Sequence, residues 1–506
     1  MILQRVLEGL NTRRVTGVLT SDIKGIAYDS RLVGKDFVFV ALRGFSVDGH
    51  GYIHEAINRG ATAIVGEVAV DSTAAQECTA GQQCAYIEVA DSREALALIA
   101  AAFYGYPSRN LSLVGITGTN GKTTTSYITK NIIEASGKKA GLIGTIRYMT
   151  GDRTGAAVNT TPESLDLQRY LSEMVSNKMD YAVIEVSSHA LSLKRVAGCS
   201  LRVAAFTNFT QDHLDFHNDM GEYFNAKRDI FRYLDHGGSA VVNVDDPVIE
   251  PLVRELECNV VTCGMNRDAI IRAMNISERR TESNEHRHPV PAGLSFTART
   301  PSGEIPVNSC LIGRFNVYNI LMSIGIAYAL GIRSDAIEQG LRNVGPVDGR
   351  FERIEEGQDF LAIVDYAHTD DALRNVIQTA RSLTERNLIT VFGCGGDRDR
   401  AKRPLMGEAA SELSDFVIIT SDNPRSEEPA DIVSDIVCGL KKTNYSVQHD
   451  RAEAIAEAVS MAREGDTVII AGKGHENYQE RKGKRFHFSD KEVLRKEIKK
   501  RLAVRD

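Results

Sequence analysis

Seven residues between 118 and 124, read as GTNGKTT, combine glycine, lysine and hydroxyl side chains at the spacing of a phosphate-binding loop. Backbone N–H groups of such a loop, and of the helix that follows it, converge on one anion. Gly118 and Gly121 would let the backbone approach phosphate oxygens, while Lys122 would add a positive charge. Thr123 would offer its hydroxyl to Mg²⁺. The segment therefore predicts ATP or GTP binding by Gly118, Thr119, Asn120, Gly121, Lys122, Thr123 and Thr124.

The loop departs from the standard pattern, which has glycine five residues before Gly121, where this chain has Ile116. A glycine turn that only connects a strand to a helix is the alternative. The apolar run before the loop, the helix signal after it and the Lys122–Thr123 pair favour nucleotide binding. A phosphate loop does not identify the group that accepts a phosphate.

The loop follows one of several short β-branched runs that alternate with helical segments, which is typical of a buried parallel sheet. Such runs are LSLVGIT, YAVIEVS, VAAFTNF and SAVVNV, and later LAIVDYA, NLITVFGCGG, FVIITSD and DTVIIAG. The predicted fold class is α/β, with a central P-loop ATPase-type parallel sheet and a C-terminal Rossmann-like sheet. Ligands then belong at the carboxyl ends of the strands. The polar stretch 274–308 predicts loops and hairpins.

Domain organisation follows from length and from two breaks in the helical patterns. A chain of 506 residues, at about 150 residues per domain, predicts roughly three domains. Gly, Pro and Ser interrupt a helical run at 104–110 (YGYPSRN), and a second helical region closes at 343–350 (NVGPVDGR). We therefore predict a small N-terminal α/β domain at 1–108, a central nucleotide-binding domain at 109–346 and a C-terminal domain at 347–506.

Composition argues against several other classes of protein. The formal net charge of -7 gives no overall positive field that would attract a nucleic acid. No apolar run approaches the roughly 20 residues that span a bilayer, and the first residues lack the features of a signal peptide. Eight scattered cysteines without a C-x-x-C pair predict reduced thiols in a cytoplasmic protein. The basic tail predicts an ordinary terminal helix rather than a membrane-surface helix.

Further motifs accompany the loop in a fixed order along the chain. They are DSR (29–31), NTTP (159–162), EVSSHAL (185–191), TNFTQDHLDFH (207–217), NAKRDIF (225–231), GRFNVYN (313–319), DGRFE (348–352), DYAHT (365–369), GCGGDRDRAKRP (393–404), DNPR (422–425) and GKGHE (472–476). With GTNGKTT, this series resembles the Mur ligase family, which also includes folylpolyglutamate synthases. The resemblance extends along the whole chain and is to the diaminopimelate-adding branch of the family.

The resemblance implies an ATP-dependent amide-bond ligase of cytoplasmic peptidoglycan precursor synthesis. ATP would phosphorylate the γ-carboxylate of D-Glu in UDP-MurNAc-L-Ala-D-Glu, and an amine of meso-2,6-diaminopimelate would attack the acyl phosphate. The implied cofactors are ATP as co-substrate, Mg²⁺ and a carbamylated lysine. The first domain would bind the uridine end and the last the incoming amino acid. A monomer is expected, without nucleic acid and without stable membrane insertion.

The resemblance also implies a set of catalytic and metal-binding residues. The implied catalytic residues are Lys122, Glu185, His213 and Lys227. Metal would be bound by Thr123, Glu185 and His213, together with Lys227 after its reaction with carbon dioxide to an anionic carbamate. Taken singly, a strand-end glutamate, a histidine and a helical lysine are usually solvated or structural, but their shared order behind the loop favours catalysis. The implied ATP contacts outside the loop are Asn319, Arg350 and His368.

Two further groups of residues are implied to contact the other substrates. Those for the UDP-sugar are Ser30, Thr160, Thr161, Ser187 and Arg195. Those for diaminopimelate are Arg398, Asp422, Asn423, Pro424, Arg425, Gly472 and Glu476. Arg425 suits the distal carboxylate that distinguishes diaminopimelate from lysine, because a guanidinium binds a carboxylate in a bidentate fork. Glu476 would meet the ammonium group at the same carbon. DNPR also predicts a type I turn that starts at Asp422 and presents the arginine.

Departures from the family pattern and rival functions complete the prediction. Asp370 stands where family members often have proline, and Leu193 where many have glutamine. The alternatives are another ligase of the superfamily such as a folylpolyglutamate synthase, a lysine-adding relative, and a regulatory protein that uses the loop as a switch. The DSR-containing first domain argues against the first, Arg425 against the second, and the retained catalytic set against the third.

Overall fold

The computed structural model describes residues 1–45, 47–69, 84–266, 268–281 and 290–505. The chain divides into two compact units, which are described separately. The first contains Met1–Thr117, Gly137–Ala204 and Ala226–Ala240, and the second contains Gly118–Ser136, Ala205–Asn225 and Val241–Asp506. The domain limits after residues 108 and 346 stay predictions.

Helices and strands alternate along most of the described chain. The helices are α1 Leu3–Val6, α2 Ile53–Asn58, α3 Ser92–Phe103, α4 Lys122–Ala135, α5 Ser164–Ser176, α6 Ser188–Ser192, α7 Met220–Arg228, α8 Leu252–Glu255, α9 Phe315–Ala329, α10 Ser334–Arg342, α11 Asp370–Leu383, α12 Lys402–Leu413, α13 Pro429–Val437, α14 Arg451–Met461 and α15 Asp490–Arg505. The strands are β1 Thr12–Thr16, β2 Gly25–Ala27, β3 Phe37–Val40, β4 Ala61–Gly66, β5 Ala85–Val89, β6 Ser112–Thr117, β7 Ala140–Ile143, β8 Arg147–Met149, β9 Thr154–Ala156, β10 Tyr181–Glu185, β11 Leu201–Phe206, β12 Leu234–Asn243, β13 Asn259–Gly264, β14 Ile271–Thr281, β15 Val290–Thr300, β16 Gly303–Ser309, β17 Glu352–Arg353, β18 Leu361–Asp365, β19 Leu388–Phe392, β20 Phe416–Ile419, β21 Tyr445–Val447, β22 Thr467–Ala471, β23 Tyr478–Arg481 and β24 Lys484–His487.

In the first unit, the N-terminal strands form a five-stranded sheet in the order β1-β5-β4-β3-β2. Strands β2 to β5 pair in parallel, and β1 pairs antiparallel with β5. Helix α3 begins after Asp91, whose carboxylate accepts hydrogen bonds from two N–H groups of the first turn. Leu96 and Ile99 lie three residues apart on its buried face and share a core with Val38 and Ile87. This small α/β fold agrees with the sequence prediction.

The first unit also contains the parallel strands that lead to the phosphate-binding loop. They belong to a sheet with the order β11-β6-β10-β7-β8-β9, in which β6, β10 and β7 pair in parallel, whereas β8 and β9 are antiparallel. Strand β10 lies in parallel between β6 and β7, so that Val183 is flanked by Val114 and Leu142. All three side chains are buried. The apolar runs LSLVGIT and YAVIEVS therefore form buried parallel strands, as their β-branched composition predicted.

In the second unit, β14, β15 and β16 form antiparallel hairpins. Apolar side chains alternate along β15, where Phe296 faces Val307 of β16 across the pair. The prediction of hairpins in 274–308 is confirmed where the structure describes this stretch, and 282–289 lie outside the described residues.

The C-terminal sheet of the second unit has the order β17-β18-β22-β19-β20-β21 and is parallel apart from β17. One face forms a core around Ile363 and Ile469, and the other a core around Val364 and Ile470. Successive residues of each strand thus bury opposite faces, which requires helices on both sides. The motifs DYAHT, DNPR and GKGHE follow the carboxyl ends of these strands, where ligands of such sheets bind.

Two properties of the described residues concern the surroundings of the protein. No helix of the part that the structure describes is both long and apolar enough to cross a membrane. Its cysteines are not joined by disulfide bonds, and Cys78 lies outside the described residues.

Basic residues of helix α15 form ion pairs with the acidic segment that precedes strand β18. Lys491 contacts Asp348 and Glu352, and Lys499 contacts Glu356.

Candidate active site

The phosphate-binding loop connects strand β6, which ends at Thr117, to helix α4, which begins at Lys122. Gly121 precedes the helix with a φ of 85°, a conformation that favours glycine. A Cβ atom on Gly121 would lie 2.3 Å from Oδ1 of Asn319, so there is no room for a side chain. Asn319, a predicted ATP contact, therefore lies directly against the loop.

The lysine of the loop is held by the loop itself. Nζ of Lys122 donates hydrogen bonds to the backbone oxygens of Gly118 at 2.7 Å and Thr119 at 2.8 Å. The loop is also fixed from its other side, because the backbone N–H of Asn120 donates to Oδ1 of Asn208 at 2.8 Å. These contacts order the loop, which reduces the entropy that it loses when a phosphate binds.

Asn120 connects the loop to a helix of the C-terminal sheet. Its Nδ2 donates to Oδ2 of Asp371 at 2.9 Å, and Oδ1 of the same carboxylate accepts from Asn375 at 3.2 Å. The pKa of Asp371 is raised mainly by burial, and the negative charge of Asp370 raises it further. Asp370 itself begins helix α11, which Thr369 caps by accepting from the backbone N–H of Ala372. Asp370 is thus part of an ordered helix start.

Arg350, a predicted ATP contact, reaches the same loop. Its Nη2 donates to Oγ1 of Thr123 at 3.0 Å, and its guanidinium lies 4.6 Å from the ring centre of Tyr366. The ring supports a planar cation over its face. A threonine hydroxyl oxygen, such as Oγ1 of Thr123, also has the ligand chemistry that Mg²⁺ accepts. The loop residues therefore fit a magnesium-bound nucleotide.

A buried carboxylate, Asp212, gathers three basic side chains within the second unit. Its Oδ2 lies 3.4 Å from Nε2 of His213 and 3.8 Å from Nε2 of His368, and its Oδ1 lies 3.4 Å from Nζ of Lys402. Burial alone would raise the pKa of Asp212, but electrostatic interactions with His213, Lys402 and His368 lower it well below its usual range. Asp212 is therefore ionised. His213 and His368, two histidines predicted to belong to the site, both lie beside its carboxylate.

The protonation of His368 follows from its surroundings. Desolvation by the surrounding protein, and then the positive charge of Lys402, lower the pKa of His368 to about 4. The ring is neutral at pH 7, and Nδ1 lies 2.8 Å from the backbone oxygen of Tyr366. Because a carbonyl oxygen only accepts, the proton is assigned to Nδ1.

Glu185 ends strand β10 in the first unit, and its side chain is fully buried. The backbone N–H of Thr145 donates to Oε1 at 3.0 Å, and Oγ1 of Thr145 donates to Oε2 at 2.9 Å. A Cβ atom on Gly144 would lie 2.1 Å from Oε1, so glycine is required beside the carboxylate. A buried, oriented carboxylate of this kind has the ligand chemistry that Mg²⁺ prefers.

The residues predicted to meet the sugar-peptide end surround Glu185. Oγ1 of Thr160 lies 3.1 Å from Oγ1 of Thr145, and Thr161 donates to the backbone oxygen of Glu185 at 2.8 Å. Thr161 also accepts from the backbone N–H of Ser187, and its own backbone oxygen accepts from Arg195 at 2.9 Å. The structure therefore brings Thr160, Thr161, Ser187 and Arg195 together.

Ser30 lies elsewhere in the first unit, on the 3-10 turn Ser30–Leu32 that follows β2. Its hydroxyl donates to Oε2 of Glu55 at 2.9 Å, and Asp29 begins the turn by accepting from Arg31. The DSR motif therefore forms a defined turn. Its predicted contact with the uridine end stays a prediction.

Lys227 is buried, with 1% of its surface exposed, near the end of helix α7. Among the residues described by the structure, no group of three or more His, Cys, Asp or Glu side chains is arranged around one metal position. The predicted metal set contains only two residues of those types, because its other members are a threonine and a carbamylated lysine. The metal set stays a prediction.

The residues predicted to bind diaminopimelate meet at the carboxyl ends of β20 and β22. Nδ2 of Asn423 donates to Oε2 of Glu476 at 2.9 Å, and Lys473 donates to that same oxygen at 3.0 Å. Burial raises the pKa of Glu476, and the neighbouring charge of Asp422 adds to this rise. Burial would also raise the pKa of Asp422, but Lys473 and Arg451 lower it below its usual range. Gly472 lies beside Asp422 and completes the cluster.

The two predicted arginines flank Gly395. A Cβ atom on Gly395 would lie 2.8 Å from Nη1 of Arg425 and 3.7 Å from Cγ of Arg398. Arg425 has a φ of 51° and its Nη1 donates to the backbone oxygen of Gly396 at 2.6 Å. Both arginine side chains therefore lie close to one short loop.

The prediction of a type I turn starting at Asp422 was wrong. The hydrogen-bonded turn starts at Pro424, whose backbone oxygen accepts from Glu427 at 3.0 Å. The cause is long-range pairing, because Arg425 forms a β-bridge with Arg481 and the oxygen of Asp422 accepts from Gln479. These contacts with the β23–β24 hairpin override the local turn propensity of DNPR.

Sequence reasoning missed several residues of these clusters, although each lies inside a recognised motif. Asp212 precedes His213 in TNFTQDHLDFH, and Lys402 follows the glycines in GCGGDRDRAKRP. Lys473 lies in GKGHE and Tyr366 in DYAHT. Nothing in their spacing predicts which of them contact one another, since Asp212 and Lys402 are 190 positions apart.

Three family models match the chain in order. They are the "Mur ligase family, catalytic domain" at residues 22–104, the "Mur ligase middle domain" at 116–327 and the "Mur ligase, glutamate ligase domain" at 349–474. The recognised motifs are thus accompanied by similarity over the regions between them.

Curated relatives align over almost the whole chain. One from Solibacter usitatus, named UDP-N-acetylmuramoyl-L-alanyl-D-glutamate–2,6-diaminopimelate ligase, is 45% identical over 487 residues, which cover 95% of this chain and 94% of the relative. Another of that name, from Alkaliphilus metalliredigens, is 43% identical over 511 residues, covering 100% of this chain and 99% of the relative.

Solved structures resemble this chain over a similar length. A UDP-N-acetylmuramoyl-L-alanyl-D-glutamate–2,6-diaminopimelate ligase has 29% identity and a TM-score of 0.65, with 99% of both chains covered. MurF ligase from Thermotoga maritima, in complex with ADP, has 20% identity and a TM-score of 0.62, with 96% of this chain and 99% of that chain covered. The second likeness shows the fold alone.

The chain belongs to the Mur ligase family. It is therefore a ligase, and a regulatory protein that forms no bond is not supported. The predicted three-domain α/β fold class is confirmed.

Proposed function

We propose that this ligase joins meso-2,6-diaminopimelate to the γ-carboxylate of D-Glu in UDP-MurNAc-L-Ala-D-Glu, with hydrolysis of ATP. The named relatives, which align over almost the whole chain, support this choice of substrates. ATP first phosphorylates the γ-carboxylate, because a free carboxylate is a poor electrophile. The amine then attacks the acyl phosphate, and the amide product, ADP and phosphate are released.

The first step brings two anions together, the γ-carboxylate and the γ-phosphate, so cations must offset their repulsion. Lys122 supplies one from the loop, and Arg350 supplies another 3.0 Å from Thr123. Mg²⁺ would be held by Thr123, Glu185, His213 and the carbamate of Lys227, and would neutralise charge on the reacting phosphate.

One observation carries the choice of amine: two arginines and a carboxylate lie in loops at the carboxyl ends of neighbouring strands of the C-terminal sheet, β19, β20 and β22. Arg425 and Arg398 flank Gly395, and Glu476 is held by Asn423 at 2.9 Å. The distal carbon of diaminopimelate carries a carboxylate, which suits an arginine, and an ammonium group, which suits Glu476. Lysine has no distal carboxylate and would leave the guanidinium of Arg425 without that partner.

The remaining predictions extend this function. Ser30 would meet the uridine diphosphate end, while Thr160, Thr161, Ser187 and Arg195 would meet the sugar-peptide end. We propose that the reaction takes place in the cytoplasm, where ATP and UDP-linked precursors are available. A monomer is expected, which light scattering after size exclusion would test directly.

Phosphate release tests the reaction. The protein is mixed with ATP, Mg²⁺ and UDP-MurNAc-L-Ala-D-Glu, and either meso-diaminopimelate or L-lysine is added. We expect release with diaminopimelate and little with lysine. Release with lysine alone would remove the role of Arg425, and release with neither would refute the reaction. Oxygen-18 placed in the γ-carboxylate should appear in the released phosphate, because the acyl phosphate transfers that oxygen.

The carbamate is tested at Lys227. Lys227→Ala should lose most turnover and recover part of it when a small carboxylic acid supplies the missing anion. Lys138→Ala is the control, because Lys138 is exposed and pairs with Asp180. Full activity of the Lys227 variant would contradict the assignment.

A further inference from the structure

Lys473 is a fully buried lysine in the loop after strand β22. Its Nζ donates to Oε2 of Glu476 at 3.0 Å and to Oδ1 of Asn423 at 3.1 Å, and it lies 5.4 Å from the ring centre of Tyr478. A buried ammonium group is costly unless acceptors surround it. Lys473 is therefore tied to two of the residues proposed to face the amino acid.

These contacts fix the orientation of the Asn423 amide. Oδ1 of Asn423 accepts from Nζ of Lys473 and from the backbone N–H of Glu480 at 2.9 Å. An ammonium group and a backbone N–H can only donate, so the oxygen of the amide must face them. Nδ2 is then directed to Glu476, to which it donates at 2.9 Å.

The carboxylate of Glu476 is oriented by the same arrangement. Its Oε2 accepts from both Lys473 and Asn423, which directs the lone pairs of Oε1 away from this pair of donors. Burial raises the pKa of Glu476, whereas the positive charge of Lys473 opposes that rise and favours the ionised form. An ionised and oriented Glu476 is what a distal ammonium group requires.

We propose that Lys473 is a positioning residue that sets selectivity for an amino acid whose distal carbon bears an ammonium group as well as a carboxylate. The inference rests on the proposed function of this site. Lys473 acts through Glu476 and Asn423, and it does not itself contact the substrate.

The test compares two amines that differ only at the distal carbon. Meso-2,6-diaminopimelate has a distal ammonium group, and L-2-aminopimelate has the distal carboxylate alone. In Lys473→Met, we expect kcat/KM for diaminopimelate to fall about 10²-fold, because the remaining buried groups lose their partner. The value for 2-aminopimelate should change less than about threefold, since that amine makes no use of Glu476. KM for ATP should stay unchanged.

Controls separate this effect from a loss of folding. Lys484→Met, on the exposed strand β24, should keep the wild-type selectivity. In a Glu476→Gln background, Lys473→Met should cause no further loss of selectivity, because the group that it positions is already altered. If Lys473→Met does not fold, Asn423→Ala removes the oriented amide and should give the same loss of selectivity.

The outcomes distinguish two failures. If the wild-type protein releases no phosphate with any amine, the proposed function fails. If the wild type turns over diaminopimelate, and the folded Lys473 or Asn423 variant still prefers it over 2-aminopimelate by the wild-type ratio, the positioning role of Lys473 is overturned.

Discussion

Arg350 donates a hydrogen bond of 3.0 Å to the hydroxyl of Thr123, the loop residue expected to bind magnesium. The two residues are 227 positions apart in the sequence. Arg350 follows Gly349, whose backbone N–H donates to Glu352 at 2.7 Å, and Glu352 also pairs with Lys491. A cation from the start of the C-terminal segment is therefore held at the phosphate-binding loop by a supported turn.

Replacement of this arginine should impair phosphate transfer more than folding. Arg350→Ala removes a positive charge at the loop, so we expect kcat to fall about 10²- to 10³-fold, as when a transition-state charge donor is lost. Arg350→Lys should recover little, because a lysine lacks the planar fork. Phosphate-release kinetics with saturating ATP measure the effect. Arg342→Ala is the control, because Arg342 is exposed and pairs with Glu338; equal activity of both variants would contradict the prediction.

Gly144 should be essential for the position of the Glu185 carboxylate. A Cβ atom in Gly144→Ala would lie 2.1 Å from Oε1 of Glu185, so the carboxylate must move. If Glu185 binds magnesium, the variant should need a higher Mg²⁺ concentration for half-maximal activity, by about tenfold or more, since a displaced ligand weakens a metal site. Magnesium titration of turnover measures this.

Gly155→Ala is the matched control for that titration. Gly155 lies on the exposed strand β9, and a Cβ atom there would meet nothing within 4 Å. Its magnesium dependence should equal that of the wild type. A Gly144 variant with unchanged magnesium dependence would show that Glu185 does not bind the metal.

The sequence predicted those strands and loops of the fold that are determined by residues close to one another in the chain. Buried strands such as β10 and β19 were predicted from continuous β-branched runs, because a parallel sheet buries both faces of each strand. The role of the loop glycines was predicted because an anion can be bound by backbone N–H groups only where the backbone approaches it closely. The prediction of a turn at DNPR was wrong, because Arg425 pairs with Arg481, which lies 56 positions later, and this pairing overrides the local turn preference. The cluster around Asp212 was missed for the same reason.

The buried pair of Asp212 and Lys402 should contribute strongly to stability only as a pair. Each side chain is at most 6% exposed, and Nζ lies 3.4 Å from Oδ1. Asp212→Asn leaves the ammonium group of Lys402 with a weaker partner, and Lys402→Met leaves the carboxylate with only the two histidines. Either change should lower the free energy of unfolding by about 3 kcal/mol.

The double variant measures the coupling between these two residues. Asp212→Asn with Lys402→Met removes both charges, so its loss of stability should be smaller than the sum of the two single losses. Urea denaturation followed by fluorescence or circular dichroism gives the three values, compared under one set of conditions because a multidomain chain need not unfold in two states. Simple additivity would show that the pair is not coupled.

Glu427 should make the C-terminal sheet sensitive to acid. Both oxygens of Glu427 accept from the fully buried guanidinium of Arg403, at 2.7 and 2.9 Å. Hydrogen bonding by Arg403 lowers the pKa of Glu427 to about 2 from its ordinary value of 4.5. Because the unfolded chain takes up this proton at higher pH than the folded chain, the stabilisation is fully present above pH 4.5 and is lost as pH falls towards 2.

Glu427→Gln should therefore lower the urea midpoint clearly at about pH 6 and progressively less at about pH 4 and pH 3. Glu428→Gln is the matched control, because its side chain is 61% exposed and pairs with Lys482 on the surface, where ion pairs contribute little. A difference between Glu427→Gln and wild type that stays constant over this pH range would mean that the carboxylate of Glu427 does not titrate differently in the folded and unfolded chains.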